Sequence, residues 1–134
     1  MDIWIITDTH FSHQMLIDEK LRPAGFSEVL LKNLRRVFLN RPGSILIHLG
    51  DICWNKDSEW HAELAKLSCR RWLVLGNHDG KTVNWYLEHF HDFKAETIQE
   101  KEPEIFKILN DKQVLVSMEN MGYEPIKLER ILKK

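Results

Sequence analysis

The sequence lacks any long apolar run: none approaches the roughly 18 residues that a membrane-spanning helix needs, so no membrane partner is expected. It also lacks an excess of charge of one sign. Its 19 basic and 20 acidic residues leave a net charge of -1, without the basic surplus that marks general nucleic-acid binding. Two short basic clusters, Arg35-Arg36 and Arg70-Arg71, are expected on solvated helix or strand edges. Cysteine is scarce. Cys53 and Cys69 alone supply neither a disulfide framework nor a thiolate metal site, and both are expected to pack as small hydrophobes. No basic segment precedes an apolar one at the amino terminus, which makes cytoplasmic residence the expectation. What remains is 134 residues, 43% hydrophobic and 29% charged, the size and composition of one folded domain with one core.

Apolar runs too short for helices place the strands. Residues 3–7, 45–49 and 72–75 are almost continuously apolar, as strands covered on both faces are. Between the first two, Pro23-Ala24-Gly25 breaks an irregular stretch over 15–25. Ser27 then reads as the N-cap of a helix that buries Val29, Leu30, Leu34, Val37 and Phe38 and stops near Asn40. Asp57-Ser58 reads as the cap of a second helix, facing inward with Trp60, Leu64 and Leu67. Two strand–helix–strand passages in succession predict a parallel α/β core. Further on, 82–90 reads as a short helix, 92–97 as the start of a strand, 99–104 as a surface turn, 105–109 with 113–117 as a hairpin, and 128–132 as a last helical turn.

The chemistry sits where the three strands end. The first leads into Asp8-Thr9-His10, the second into Gly50-Asp51 and the third into Gly76-Asn77-His78-Asp79. Open α/β folds place their sites at the carboxyl ends of strands. Asp8 and His10, one residue apart, can reach a common point, and carboxylate with imidazole suits zinc, manganese or iron in hydrolytic sites. Asp51 can add a carboxylate to one metal or bridge two. Asn77 can offer an amide oxygen, with His78 and Asp79 beside it. Taken singly, each residue has a plainer role, such as a turn carboxylate, a surface histidine or, for Asp79, a helix cap. Three strands that each deliver such a group point to a metal site.

These three motifs, with their flanks TDTHFSH at 7–13, IHLGDI at 47–52 and LVLGNHD at 73–79, resemble the first three motifs of the calcineurin-like metallophosphoesterases, small bacterial or phage members included. The resemblance implies an α/β fold, a β-sandwich flanked by helices, and a phosphomonoesterase or phosphodiesterase that works through metal-activated water. It implies Asp8 and His10 on a first metal, Asp51 as a bridge between two, Asn77 on the second, and His78 as a catalytic group near the leaving oxygen, with Asp51 sharing the catalytic work. Manganese, iron, nickel or zinc would fit such mixed ligands.

The chain departs from that pattern in one respect. The family continues with further histidine ligands, the last in a Gly-His-x-His motif, whereas the last histidine here is His91. The single domain therefore reads as carrying an internal deletion near residues 109–114, which would shorten the second sheet. The first metal position is expected to fill. The second, with Asp51 and Asn77 alone, is expected to be mostly empty in an isolated chain. Open strand edges would invite a homodimer. The alternative to an active enzyme is a degenerate member that binds metal or a phosphorylated ligand without turnover; a shortened form of an active parent is a third reading. Among the other histidines, His13 is close enough to the first motif to approach metal or substrate. His48 reads as buried structure that could also orient ligands. His61, His89 and His91 read as structural or surface groups. Trp54 and Trp85 follow two of the motifs and could stack on a ring of a small phosphorylated substrate.

Overall fold

A computed structural model describes residues 2–54, 56–73, 95–97, 104, 107 and 121–132. In chain order its elements are β1 (Asp2–Ile6), α1 (Gln14–Asp18), α2 (Phe26–Val37), β2 (Ser44–His48), α3 (Asp57–Ala65), β3 (Arg70–Leu73), β4 (Ala95–Thr97), β5 (Ile126–Lys127) and α4 (Leu128–Leu132). The five strands form one sheet in the order β4-β3-β2-β1-β5. The first four neighbours run parallel, and β5 closes the sheet antiparallel to β1 through Trp4↔Lys127 and Ile5↔Ile126. No described helix is long and apolar enough to cross a membrane.

Strand alternation divides the core. Ile6, Leu46 and Leu73 belong to one apolar cluster with Leu30, Leu34 and Phe38 from α2 and its C-cap and Leu64 of α3. Their sequence neighbours Ile5, Ile45, Ile47 and Trp72 face the other way and pack with Leu128 of α4. Successive side chains of a strand point to opposite faces, so a run without polar interruptions is buried twice over. All five residues of β2 are buried accordingly, as its apolar sequence predicts.

Five local expectations are corrected. The N-cap of α3 is Lys56, at φ 58°, and Asp57 and Ser58 lie inside the helix. The N-cap of α2 is Gly25, at φ 78°, and not Ser27. Ser27 lies one residue inside the helix, buried, where its Oγ accepts the Ser12 backbone N–H at 3.0 Å. The helical stripe runs through Phe26, Leu30, Leu34 and Phe38, four residues apart, which turns Val29 outward at 48% exposure. The irregular stretch after Gln14 begins with the single-turn helix α1. Glu104 and Lys107 are helical, where a turn and a strand were expected. Apolar residues at 105, 106, 108 and 109 satisfy the helical period as well as a buried strand, so short runs of this kind are ambiguous. The other residues of the expected hairpin, and the expected helix over 82–90, lie outside the described residues.

The two arginine pairs differ. Arg35 and Arg36 are exposed and reach Glu63 of α3 and Glu124 respectively. Arg70 is exposed, but Arg71 is buried, contrary to the solvated edge expected of the pair. On a strand the two must face opposite ways, and only one of those ways leads to water. Burial pushes the Arg71 guanidinium down to about 10. Both cysteines are buried and unbridged, as the packing role requires.

Candidate metal centre

The site begins with the pairing of β1 and β2. Ile6 lies opposite His48, the last pair of the ladder, so the segments that follow leave the sheet side by side. They stay zipped beyond it. Leu49 N–H donates to the Ile6 carbonyl at 2.9 Å, Asp8 N–H to Gly50 at 3.1 Å, His10 N–H to Asp51 at 3.1 Å and Phe11 N–H to Ile52 at 3.0 Å. Phe11 and Cys53 then form a parallel bridge. Loops that carry functional groups are commonly mobile; here two loops brace each other through main-chain bonds.

That bracing holds an unfavourable backbone. Asp8 has φ 52°, His10 has φ 47° and Asp51 has φ 55°, all in the left-handed region that side chains with a Cβ avoid. Such conformations cost about 1–3 kcal/mol each and persist where surrounding structure enforces them. The result is convergence: Asp8, His10 and Asp51 each offer a ligand atom, and these atoms lie within 4.8 Å of one another. His10 Nε2 is 3.5 Å from Asp8 Oδ1. The Thr7 hydroxyl donates to Asp8 Oδ2 at 3.0 Å. The hydrogen bond from His10, assisted by that from Thr7, holds the Asp8 carboxyl down to about 2. Two carboxylates and an imidazole in partly buried positions form a donor set that fits a hard or borderline divalent cation.

Around this cluster lies a second set of contacts. His13 Nδ1 approaches His10 Nδ1 at 3.4 Å. The His13 ring stacks on Trp54 with centroids 4.2 Å apart and planes 3° apart. Trp54 is itself half exposed, anchored by its backbone N–H to the Phe11 carbonyl at 3.0 Å. His13 also lines an open cavity of about 490 Å³ together with Ser12, Ile17, Phe26, Lys56 and Trp60. Trp60 secures the wall, donating from Nε1 to Ser12 Oγ at 2.6 Å and stacking on Phe11.

Sequence reasoning missed Arg22. Its guanidinium is buried under the first loop, donating to the Thr9 carbonyl at 2.8 Å and the Asp8 carbonyl at 2.6 Å, and it lies 5.1 Å from the Phe26 ring centroid. Nothing near Arg22 in the sequence marks it, because its acceptors are main-chain atoms 13 and 14 residues away. Replacing Arg22 with Met keeps most of the stem but leaves two buried carbonyls without these donors. A loss of about 3 kcal/mol in unfolding free energy is expected, given 1.5–3 kcal/mol for a hydrogen bond to a charged group. Urea titration measures it, and a change below about 0.5 kcal/mol contradicts the clamp.

Asn77, His78 and Asp79 of the third strand end, with Trp85, His89 and His91, lie outside the described residues. The family model for calcineurin-like phosphoesterases matches residues 1–129. The chain belongs to that family. A calcineurin-like phosphoesterase is a metal-dependent hydrolase by type, and the cluster of Asp8, His10 and Asp51 is a candidate for such a metal. A crystal structure of a protein of unknown function from Aquifex aeolicus shares the fold, with a TM-score of 0.70 at 23% identity over 98% of each chain. No curated protein matches the sequence.

Proposed function

We propose that this phosphoesterase hydrolyses a small phosphomonoester or phosphodiester, with Asp8, His10 and Asp51 holding the first divalent metal. The observation that carries the reading is the convergence of these three side chains at the ends of two paired strands, on a backbone strained at all three positions. When bound, a divalent ion supplies Lewis acidity toward the phosphoryl group and a more acidic water. The chain supplies the rest. Asp8 and Asp51 provide negative charge to retain the cation, and His10 adds a neutral donor whose other ring nitrogen faces His13. On this reading His78 moves the proton to the leaving oxygen, as an imidazole can near neutral pH, and Asn77 with Asp51 serves a second, weaker metal position. The half-exposed Trp54 ring supports substrates that carry a planar group, and the balanced net charge supports small ones over long nucleic acids.

The decisive assay follows bis(p-nitrophenyl) phosphate and p-nitrophenyl phosphate with purified protein stripped of metal and resupplied with Mn²⁺. Turnover that saturates with Mn²⁺ and stops with chelator is the expected result. Residues 92–134 contain no histidine, which favours one competing reading, a member that binds metal or a phosphorylated ligand without turnover. Tight Mn²⁺ binding with no hydrolysis of either ester would establish that reading instead.

A further inference from the structure

Between the two loops lies a polar network built from His48, Thr9 and main-chain groups. His48 ends β2, buried within the sheet. Its Nδ1 accepts the Gly50 backbone N–H at 3.1 Å. A main-chain N–H can only donate, so Nδ1 carries no proton, and the neutral ring must carry its proton on Nε2. Nε2 faces Thr9 Oγ1 at 2.9 Å, which fixes the next link: imidazole donates and hydroxyl accepts. The Thr9 hydroxyl then sends its own proton to the Ile52 carbonyl at 2.6 Å. Every direction in the chain is determined, from Gly50 N–H to His48, from His48 to Thr9 and from Thr9 to Ile52.

The residues joined are telling. Thr9 stands between Asp8 and His10, while Gly50 and Ile52 flank Asp51. We propose that His48 and Thr9 form a positioning pair that sets the spacing between the Asp8–His10 loop and the Asp51 loop, and so tunes the metal affinity of the cluster. The inference rests on the reading of Asp8, His10 and Asp51 as metal ligands. The main-chain bonds between the loops fix their backbone register. The pair adds a side-chain tie fixed at one tautomer, and Thr9 is fully buried, so no water substitutes for its hydroxyl. Groups that orient metal ligands from outside the coordination sphere alter affinity by about 10–100-fold when removed. Because this pair acts through the backbone on either side of the ligands, the lower end, about tenfold, applies.

Thr9→Val keeps the shape of the side chain and removes both hydrogen bonds; Thr9→Ser keeps the hydroxyl. Mn²⁺ affinity is measured by calorimetric titration of the full chain, beside thermal unfolding of the metal-free protein. A drop of about tenfold in Thr9→Val, restored to within about threefold in Thr9→Ser, is expected. A purely structural role lowers the melting temperature of Thr9→Val and leaves the affinity of the folded protein unchanged, which overturns the proposal while the metal-site reading stands. Wild-type protein that binds no Mn²⁺ overturns the metal-site reading and the proposal with it. If Thr9→Val does not fold, nitrogen-15 spectra of the wild-type imidazole decide: a proton on Nε2 of His48 supports the pair, and a proton on Nδ1 overturns it.

Discussion

Asp51→Asn weakens Mn²⁺ binding at the cluster by more than about 100-fold, beyond the range seen when an outer partner of a metal ligand is lost. The reason lies in how the three groups are distributed. Asp8 and His10 share one loop, and Asp51 is the single member of the cluster from the other. Its replacement removes one of two negative charges and leaves the β2 side only a neutral amide oxygen, a far weaker donor. Asparagine tolerates the left-handed backbone as well as aspartate does, so φ 55° adds no new strain. The main-chain bond from His10 N–H to the Asp51 carbonyl is independent of the side chain, so the loops stay paired. The expected result is therefore a folded protein with a crippled site. Calorimetric titration with Mn²⁺ gives the affinity, and the urea midpoint shows whether the fold survives. Affinity within a few-fold of the wild type would remove Asp51 from the metal centre.

The second large effect is in acid. His48 and His61 are both buried, and loss of hydration is the main cause that pushes each ring down to about 3 from the ordinary value of 6.5. The unfolded chain binds protons on both rings below about pH 6.5, and the folded chain refuses them until about pH 3. The stabilisation from keeping these rings neutral is complete above the unfolded value and is lost as pH falls from there toward the folded one. Two protons taken up on unfolding give a slope of about 2.7 kcal/mol per pH unit near pH 5. That is steep against the 5–15 kcal/mol by which domains are ordinarily stable. Urea midpoints at pH 7, 6 and 5 measure the slope, and His61→Met should roughly halve it. A stability that stays level from pH 6.5 to 5 would show that these rings are protonated in the folded protein.

The fold was legible wherever a local period coincided with burial. β1 and β2 follow from apolar runs, β3 only in its Trp72–Leu73 half since it starts at Arg70, and α2 and α3 from helical spacing, because tertiary burial selects the same residues that pattern selects. The two loops were legible for a different reason: Asp8, His10 and Asp51 fall directly after strands that the topology sets side by side. What escaped depends on distant partners. β5 is two residues long and exists only because β1 accepts it, across more than 120 positions of sequence. Arg22 and Arg71 carry the residue type of a surface yet are buried, one against main-chain carbonyls of the first loop and one on the inward side of β3. The true cap of α2 escaped because a glycine at positive φ starts a helix without announcing itself as a serine would. Thr9 looks like a spacer between two ligands, and its role emerges only when His48 is folded against it.

The positive φ values at Asp8, His10 and Asp51 also set the terms on which this protein can be improved or can drift. Glycine at any of the three would relieve the backbone and raise heat resistance, while deleting a candidate metal ligand. Selection for robustness and selection for chemistry therefore pull against each other at the same three codons. On the metal-site reading, a lineage or a library screened for thermal tolerance alone loses these side chains early, and retention of all three is the mark expected of continued selection on the chemistry.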